Sequence, residues 1–285
     1  MNVDQAIVWG KRELRRHADN LSWVGNLHNE AFDLLELVLG HYPIKGEELT
    51  SSQQRRFEQL IGRRAAGEPL PYLLGWTEFG DLKMTIKPGG FVPRATSEWL
   101  AMQAASKIRR RTNPIAVDLA CGIGPVALLV SHKVPGGRVY GADVSRSAIA
   151  QARANAHQLK LPVIFGVGDM FEPLPASIRG KVDAITMHPP YVGAGTVEDL
   201  PAEIKNYEPP ESLTDGSDDG LGLVRRAITE GRAWLKPGQG WLMFEVEPPI
   251  ARAVRSLLSK GGYRDVRSTV DKELPVTRVV IGRAP

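Results

Sequence analysis

Apolar side chains recur at three- and four-residue spacing in the first quarter of the chain, which is the period of a helix with one buried face. The clearest run is Ala31, Leu34, Leu35, Val38 and Leu39. Gly40 is expected to end that helix. A second helix is predicted from about residue 52 to 66, with Ser51 or Ser52 as its N-terminal cap. Residues 1–75 are therefore predicted to form a small helical domain.

The pattern changes over residues 67–92, where Gly and Pro are dense and the segment LKMTIK alternates apolar with polar residues, as in a short strand or hairpin. We interpret residues 76–94 as a hairpin linker.

From residue 95 onward, short apolar segments alternate with helical ones, which predicts an α/β fold with a parallel, doubly wound sheet over residues 95–285. Strands are predicted at 115–119, 138–143, 163–167, 182–187, 240–246 and 278–282, with a further candidate at 263–268, and helices at 147–159 and 221–234.

Composition limits the classes of protein to consider. The chain has 285 residues, of which 42% are hydrophobic and 24% charged, so it can bury a core. No apolar run reaches the roughly 18 residues that span a bilayer, and the first 20 residues carry charges where a signal peptide is apolar, so a cytoplasmic protein is expected. The single Cys121 excludes an internal disulfide, and we predict no metal site.

The formal net charge of +4 permits an acidic partner without requiring one. Arginines cluster at positions 55–56, 63–64 and 109–111. Such clusters contact phosphates in nucleic-acid enzymes, or they simply form solvated faces, and we favour the second interpretation.

The first strand of the α/β region ends in DLACGIGPVALL, residues 118–129. Gly122 and Gly124 permit a tight turn against which a ligand can lie, and Pro125 suits the first turn of a following helix. The loop has neither GxxxxGK followed by Ser or Thr nor GxGxxG, which favours a ligand without phosphates. Asp118, at the strand end, is a candidate neighbour of a cationic methionine group. The alternative is a tight turn that binds nothing.

Two more acidic residues follow the next two strands. A carboxylate at Asp143 can accept hydrogen bonds from both hydroxyls of a ribose, or Asp143 and Ser145 cap the next helix. Asp169 can accept from an adenine amino group with Met170 or Phe171 over the ring, or it is an ordinary loop carboxylate. Three acidic strand ends in order, without a phosphate-binding loop, describe an adenosyl site, and S-adenosylmethionine is the common ligand of that shape.

The fourth strand ends in MHPPYVG, residues 187–193. Pro189 and Pro190 fix two φ angles and remove two donors. The carbonyls of His188 and Pro189 are then free to accept from a planar amino group, and Tyr191 supplies a flat wall. Such a site acts mostly by positioning, which can lower a barrier by roughly 7–11 kcal/mol. A purely structural Pro-Pro turn is the alternative.

Together these residues resemble the amino-methyltransferases of the NPPY or NPPF type, and most closely the HemK-like glutamine N5-methyltransferases that modify peptide-chain release factors. The motifs that carry the resemblance are RRAAGEPLPYLLGWTEF (63–79), FVPRATSE (91–98), DLACGIG, HPPY (188–191), NYEPPESLTDGSDDGL (206–221) and LKPGQGWLMFEV (235–246). The resemblance implies a Rossmann-like class I methyltransferase domain. It also implies that S-adenosyl-L-methionine is the methyl donor and S-adenosyl-L-homocysteine the product. The substrate implied is a protein, recognised by the helical domain of residues 1–75.

The resemblance and the strand-end pattern together predict which residues line each side of the site. The cofactor side comprises Asp118, Ala120, Cys121, Gly122, Ile123, Gly124, Asp143, Val144, Asp169, Met170 and His188. The substrate side comprises Phe91, Arg94 and Tyr191, and the catalytic corner that holds the target nitrogen comprises His188, Pro189, Pro190 and Tyr191.

Two departures from the family pattern fall on the substrate side. His188 replaces the family's asparagine, and a neutral histidine offers one acceptor and one donor on a bulkier ring. Unlike an amide, it can also take a proton near neutral pH, which suits an amine or hydroxyl acceptor. Whether His188 acts as a base or only as an acceptor stays open at this point. The loop PRATSE replaces PRPETE, which keeps Arg94 and Glu98 but loses a carboxylate at position 96.

Four functions are therefore compatible with the sequence. The first is methylation of a release-factor glutamine, and the second is methylation of a different acceptor, such as a small metabolite, by a divergent relative. The third, a nucleic-acid amino-methyltransferase, is less favoured because no separate target-recognition domain is evident. The fourth is a cofactor-binding protein without catalysis.

Overall fold

The computed structural model of the protein describes residues 1–21 and 26–285. The chain divides into two compact units. One comprises Met1–Thr77, Ile86–Pro88 and Glu198–Glu208, and the other comprises Glu78–Thr85, Gly89–Val197 and Pro209–Pro285. None of the helices in the described ranges combines the length and the apolar character that crossing a membrane requires.

The first unit is helical. Its helices are α1 (Val3–Arg16), α2 (Leu27–Leu39), α3 (Ser51–Ala65), α4 (Leu70–Leu74) and α8 (Ala202–Tyr207). The apolar face predicted for α2 is buried, with Leu34 and Leu35 fully enclosed and packed in one cluster with Phe57 and Ile61 of α3. The helical periodicity of this part of the sequence is thus confirmed.

The ends of these helices confirm one prediction and correct another. Gly40 ends α2 in the left-handed conformation, with φ of 77°, as predicted. The cap of α3 is Thr50 and not Ser51 or Ser52, which already lie inside the helix. Thr50 accepts from the backbone of Gln53, whose side chain accepts in return from the backbone of Thr50, so a capping box selects the earlier start.

Arg64 is buried in the first unit rather than exposed on a solvated face. Its guanidinium lies 2.8 Å from Glu30 Oε2 and 3.0 Å from Glu203 Oε1. The neighbouring Arg63 pairs with Glu68 at 2.6 Å. Two carboxylates offset the free-energy cost of burying the Arg64 guanidinium. The expectation of a solvated face is therefore wrong for Arg64.

A short two-stranded sheet, β1 (Trp76–Phe79) and β2 (Leu82–Thr85), confirms the hairpin predicted around LKMTIK. The second unit contains a seven-stranded sheet. Its strands are β3 (Ile115–Leu119), β4 (Arg138–Asp143), β5 (Val163–Val167), β6 (Ala184–Met187), β7 (Trp241–Val246), β8 (Arg264–Thr269) and β9 (Arg278–Arg283). Its helices are α5 (Ser97–Ile108), α6 (Pro125–Lys133), α7 (Arg146–Leu159), α9 (Gly222–Gly231) and α10 (Pro248–Lys260).

The strand order is β5-β4-β3-β6-β7-β9-β8. The strands from β5 to β7 run parallel, whereas β9 is antiparallel to both β7 and β8. Every residue of β3 is buried, as expected for a central strand covered on both faces. Val117 and Leu119 pack into one apolar cluster and Ala116 into the other, so the sheet separates two cores. The α/β fold class is confirmed.

Most predicted strands match the structure to within two residues. The largest discrepancy is at β6, where pairing is continuous only from Ala184, although Val182 forms an isolated bridge with Leu235. The predicted helix 221–234 is shorter in the structure and corresponds to α9.

The registers of the central strands place the key loops at one edge of the sheet. Leu119 at the end of β3 lies beside Met187 of β6, and Met187 lies beside Phe244 of β7. Because these strands are parallel, the residues that follow them emerge together. The glycine loop after β3, the HPPY corner after β6 and the end of β7 are consequently neighbours.

Candidate active site

The loop after β3 contains three residues with positive φ: Ala120 at 51°, Gly122 at 54° and Gly124 at 90°. Gly122 and Gly124 differ in their surroundings. A Cβ on Gly124 would lie 2.7 Å from the Phe165 ring, so that glycine is needed for packing. A Cβ on Gly122 would meet no atom within 4 Å, so the backbone there borders open space in which a ligand can lie.

Asp143 connects this loop to the end of β4. One carboxylate oxygen accepts from the Gly122 N–H at 2.8 Å and the other from the Ser145 N–H at 2.8 Å. Ser145, rather than Asp143, caps α7 by accepting from Ala148. Burial raises the pKa of Asp143, and the two backbone donors oppose that rise. Each oxygen keeps a further lone pair for a hydroxyl donor such as a ribose.

Asp118 lies inside the sheet rather than on its edge. It is 3% exposed, and it accepts from Thr186 Oγ1 of the neighbouring β6 at 2.7 Å. Burial raises the pKa of this carboxyl from 3.8 to about 7, and the Thr186 bond partly offsets that effect. Through its bond with Thr186, Asp118 links β3 to β6. Its carboxylate also accepts from the backbone N–H of Ala127, in the first turn of α6.

This raised pKa leads to a stability prediction. Between 3.8 and about 7, folded Asp118 retains a proton that the unfolded chain has released, so its contribution to stability falls as pH rises through that window. Asp118→Asn cannot titrate, and its free energy of unfolding should fall less steeply there, by up to about 1.4 kcal/mol per pH unit. Urea unfolding of both proteins across the window measures this difference, and identical slopes would contradict it.

The remaining residues predicted for the cofactor side lie in different environments. Met170 follows β5 with a φ of 50° and a buried side chain. Asp169 forms an ion pair with Arg226 at 2.9 Å, and Val144 is exposed. The side chains of Cys121 and Ile123 are buried in the core, and burial raises the pKa of the Cys121 thiol. Those two residues are therefore restricted to offering backbone atoms to a ligand.

This set of groups fits an adenosyl ligand. It combines a carboxylate at Asp143 with free lone pairs, an open backbone at Gly122, and strained backbone at Ala120 and Met170. Positive φ at residues other than glycine costs roughly 1–3 kcal/mol each and is concentrated at functional loops. The residues present would hold the ribose and the methionine portion of S-adenosylmethionine.

The HPPY corner is held by the segment that follows it in the chain. Tyr191 forms an isolated antiparallel bridge with Thr214, and the Val192 N–H donates to the Leu213 carbonyl at 3.0 Å. Gly220, with φ of 64°, lies so close that a Cβ there would overlap the Tyr191 carbonyl oxygen. The glycine in DGSDDGL therefore permits this close approach, a function that the sequence pattern did not reveal.

An aromatic group forms around His188. Its ring centroid lies 5.6 Å from that of Phe91, edge to face, and 5.6 Å from that of Tyr191. The Arg94 guanidinium stacks over Phe91 at 4.6 Å. The structure thus brings together the three residues predicted for the substrate side and the first residue of the HPPY corner.

Sequence reasoning missed two polar neighbours of His188. Ser97 Oγ lies 3.2 Å from His188 Nδ1, and Glu245 Oε2 lies 3.8 Å from the same nitrogen. Burial lowers the pKa of His188, Glu245 opposes that change, and Arg94 adds to it. Burial also raises the pKa of the Tyr191 hydroxyl. The one available signal for Glu245 was a charged residue in the otherwise apolar strand WLMFEV.

The chain is similar to known proteins over most of its length. Residues 5–75 match the PrmC N-terminal domain, and residues 97–204 match the Methyltransferase small domain. The chain is 34% identical over 242 residues to the release factor glutamine methyltransferase of Geobacter sulfurreducens, covering 85% of this chain and 80% of that protein. The enzyme of the same name from Thermodesulfovibrio yellowstonii is 34% identical over 227 residues, covering 79% and 80%. A solved methyltransferase from Pyrococcus furiosus shares the fold, with a TM-score of 0.54 at 17% identity, covering 72% and 89%.

Proposed function

Since the chain belongs to the HemK-like release factor glutamine methyltransferase family and is an S-adenosylmethionine-dependent enzyme, we propose that it methylates a glutamine side-chain nitrogen in a peptide-chain release factor. The observation that carries this proposal is the register of β3 and β6. The pairing of Leu119 with Met187 makes Ala120 and His188 neighbours at one sheet edge. The cofactor loop and the HPPY corner therefore emerge from adjacent strands.

S-adenosylmethionine, when bound, supplies an electrophilic methyl group on its sulfonium sulfur. The protein's contribution is to hold the acceptor nitrogen in line with that group. The carbonyls at His188 and Pro189 are available to accept from the acceptor N–H groups, because the two prolines prevent the corner from continuing as strand or helix. Phe91 and Tyr191 flank the ring of His188 and provide an apolar surround that limits access of water.

We assign recognition of the protein substrate to the helical region, residues 1–75. It has its own apolar cluster, which includes Leu34, Phe57 and Ile61. Its match to the PrmC N-terminal domain over residues 5–75 supports this assignment. A nucleic-acid substrate is not favoured, because Arg64 is buried and ion-paired and Arg111 is paired with Asp183.

The proposal is tested by incubating the enzyme with S-adenosylmethionine labelled in the methyl group and a purified release factor from the same organism. We expect label on a loop glutamine of the wild-type release factor and none on the same protein with that glutamine replaced by alanine. Equal labelling of both substrates would show that the methyl group is transferred to a residue other than that glutamine. Absence of label, while calorimetry shows bound S-adenosylmethionine, would refute the release factor as the acceptor.

The imidazole of His188 favours a second candidate acceptor, a small molecule with an amine. An amine is protonated near neutral pH and must lose a proton before its lone pair can attack, and histidine can take protons in that range. Release of S-adenosylhomocysteine with a panel of amines, but not with the release factor, would select this candidate. Transfer to RNA or DNA that declines with salt would select a nucleic acid instead.

A further inference from the structure

Glu245 is a buried carboxylate at the carboxyl end of β7. Its exposed fraction is 0%, and Oε1 accepts from Thr277 Oγ1 at 3.2 Å. Oε2 has no hydrogen-bond partner in the described ranges, and among buried side-chain atoms there it alone lacks one. A buried carboxylate oxygen without a hydrogen-bond partner is costly, so its presence in a native protein calls for a physical reason.

The side chain that Oε2 approaches is His188. The 3.8 Å separation from Nδ1 is an ion-pair distance and about 1 Å longer than a hydrogen bond. On the same side of the ring, Ser97 Oγ lies 3.2 Å from Nδ1. No residue in the described part of the chain hydrogen-bonds Nε2, and the His188 side chain is 16% exposed. Nδ1 thus faces the protein, and Nε2 is the nitrogen left for an acceptor.

Charged groups face His188 from several elements. Glu245 lies on β7, Glu247 caps α10, and Arg94 lies in the loop before α5. Tyr191 contacts the ring from the same corner. The two carboxylates favour a proton on the imidazole, and the guanidinium disfavours it. Of the carboxylates, only Glu245 is buried, so its charge is screened least by solvent.

We propose that Glu245 is a positioning residue that keeps a proton on Nδ1 of His188 and so presents Nε2 as the base for the acceptor nitrogen. A lone pair on Nδ1 would face the carboxylate oxygen and be repelled, whereas an N–H there is attracted. This inference rests on the proposed methyl transfer, and it concerns the proton rather than the methyl group.

The proton balance is simple. As the acceptor nitrogen forms its bond to the methyl carbon, the carbon–sulfur bond breaks and its electron pair stays on sulfur. The nitrogen then loses one proton to Nε2, which gives an imidazolium with both nitrogens protonated. The negative charge of Glu245 stabilises that cation, and Nε2 later releases the proton to solvent. No oxidant, reductant or other co-reactant is needed.

The first test needs no methyl acceptor. Nitrogen NMR of the full chain labelled at histidine reports which ring nitrogen carries the proton, and comparison with His188→Asn identifies the His188 signals. We expect the Nδ1–H tautomer at a pH above the titration of His188. A resting Nε2–H tautomer would overturn the proposal.

The second test removes the charge. Glu245→Gln keeps the size of the side chain, and the NMR titration of His188 should move down by about one pH unit or more, which is a tenfold or greater loss of proton affinity. Glu247→Gln removes the same charge from an exposed position and should shift it by a smaller amount. The proposal would be overturned if Glu245→Gln left the titration of His188 unchanged. It would also be overturned if Glu247→Gln shifted that titration as much as Glu245→Gln does.

The same variant separates this inference from the proposed function. If the release factor is methylated, the acid limb of the kcat–pH profile should move down with the NMR titration in Glu245→Gln, while KM for S-adenosylmethionine stays within about twofold. A purely structural role for Glu245 would lower kcat at every pH without moving that limb. If no acceptor is methylated but the NMR results are as expected, the proposed function fails and the assignment of Glu245 stands.

Discussion

His188→Ala is expected to lower kcat for methyl transfer by about 10²- to 10⁴-fold, the usual contribution of a positioned general base. The substitution removes both the proton acceptor and one wall of the aromatic group that includes Phe91 and Tyr191. Binding of S-adenosylmethionine should change little, because the groups that fit it best are Gly122 in the loop after β3 and Asp143 at the end of β4. Single-turnover assays and calorimetry measure the two quantities separately.

His188→Asn is the informative companion, since it restores the residue of the NPPY pattern. An asparagine keeps an acceptor for the substrate N–H groups but cannot take a proton near neutral pH. The rate–pH profile of this variant should therefore lack the acid limb of the wild-type enzyme. Identical profiles in the two proteins would exclude His188 as a base and leave it as a hydrogen-bond acceptor.

Asp143→Ala is expected to weaken binding of S-adenosylmethionine by about 1.5–3 kcal/mol, which is roughly 10- to 150-fold in Kd. Two effects combine in this variant. The ribose hydroxyls lose a charged acceptor, and the Gly122 N–H loses the partner that holds the loop in place. Isothermal titration calorimetry gives the affinity directly.

Asp143→Asn serves as the matched control for that measurement. The amide retains one oxygen that can accept from Gly122 or Ser145 but lacks the negative charge. Its affinity for S-adenosylmethionine should lie between those of the wild-type protein and the alanine variant. An unchanged affinity in Asp143→Ala would remove Asp143 from the cofactor site.

The strands were predictable because each is a short apolar segment between turn residues. β3, β4 and β5 have the predicted bounds, since a central parallel strand is apolar throughout and its ends are marked by the change in polarity. The antiparallel placement of β9 between β7 and β8 was not predictable. The order of strands depends on which surfaces pack together, and a local pattern carries no such information.

Helix caps illustrate a similar limit. Ser51, Ser52 and Thr50 are all good capping residues, and the choice among them rests on one extra contact. The Gln53 side chain reaches back to the backbone of Thr50 and completes the capping box. Adjacent hydroxyl residues differ too little in intrinsic preference for the sequence to select the start of a helix.

At the candidate site, the sequence drew attention to the loops after β3 and β6 but did not reveal the surroundings of their residues. Gly122 and Gly124 looked equivalent, yet one borders open space and the other packs against Phe165. Asp118 was predicted to lie near a ligand, and in the structure it is a buried residue of β3 that accepts a hydrogen bond from Thr186 of β6. Such differences arise from the surroundings of each residue, which are contributed by distant parts of the chain.

The fold class, the glycine loop after the first central strand and the HPPY corner could be predicted from the sequence, because they depend on residue types close together in the chain. The surroundings of His188 could not, because they form only when distant segments pack. Parallel pairing of β6 with β7 brings Glu245 beside it, and the start of α5 contributes Ser97. The chemistry of an imidazole depends on the charges within a few ångströms, and those charges come from strands and helices that are remote in sequence.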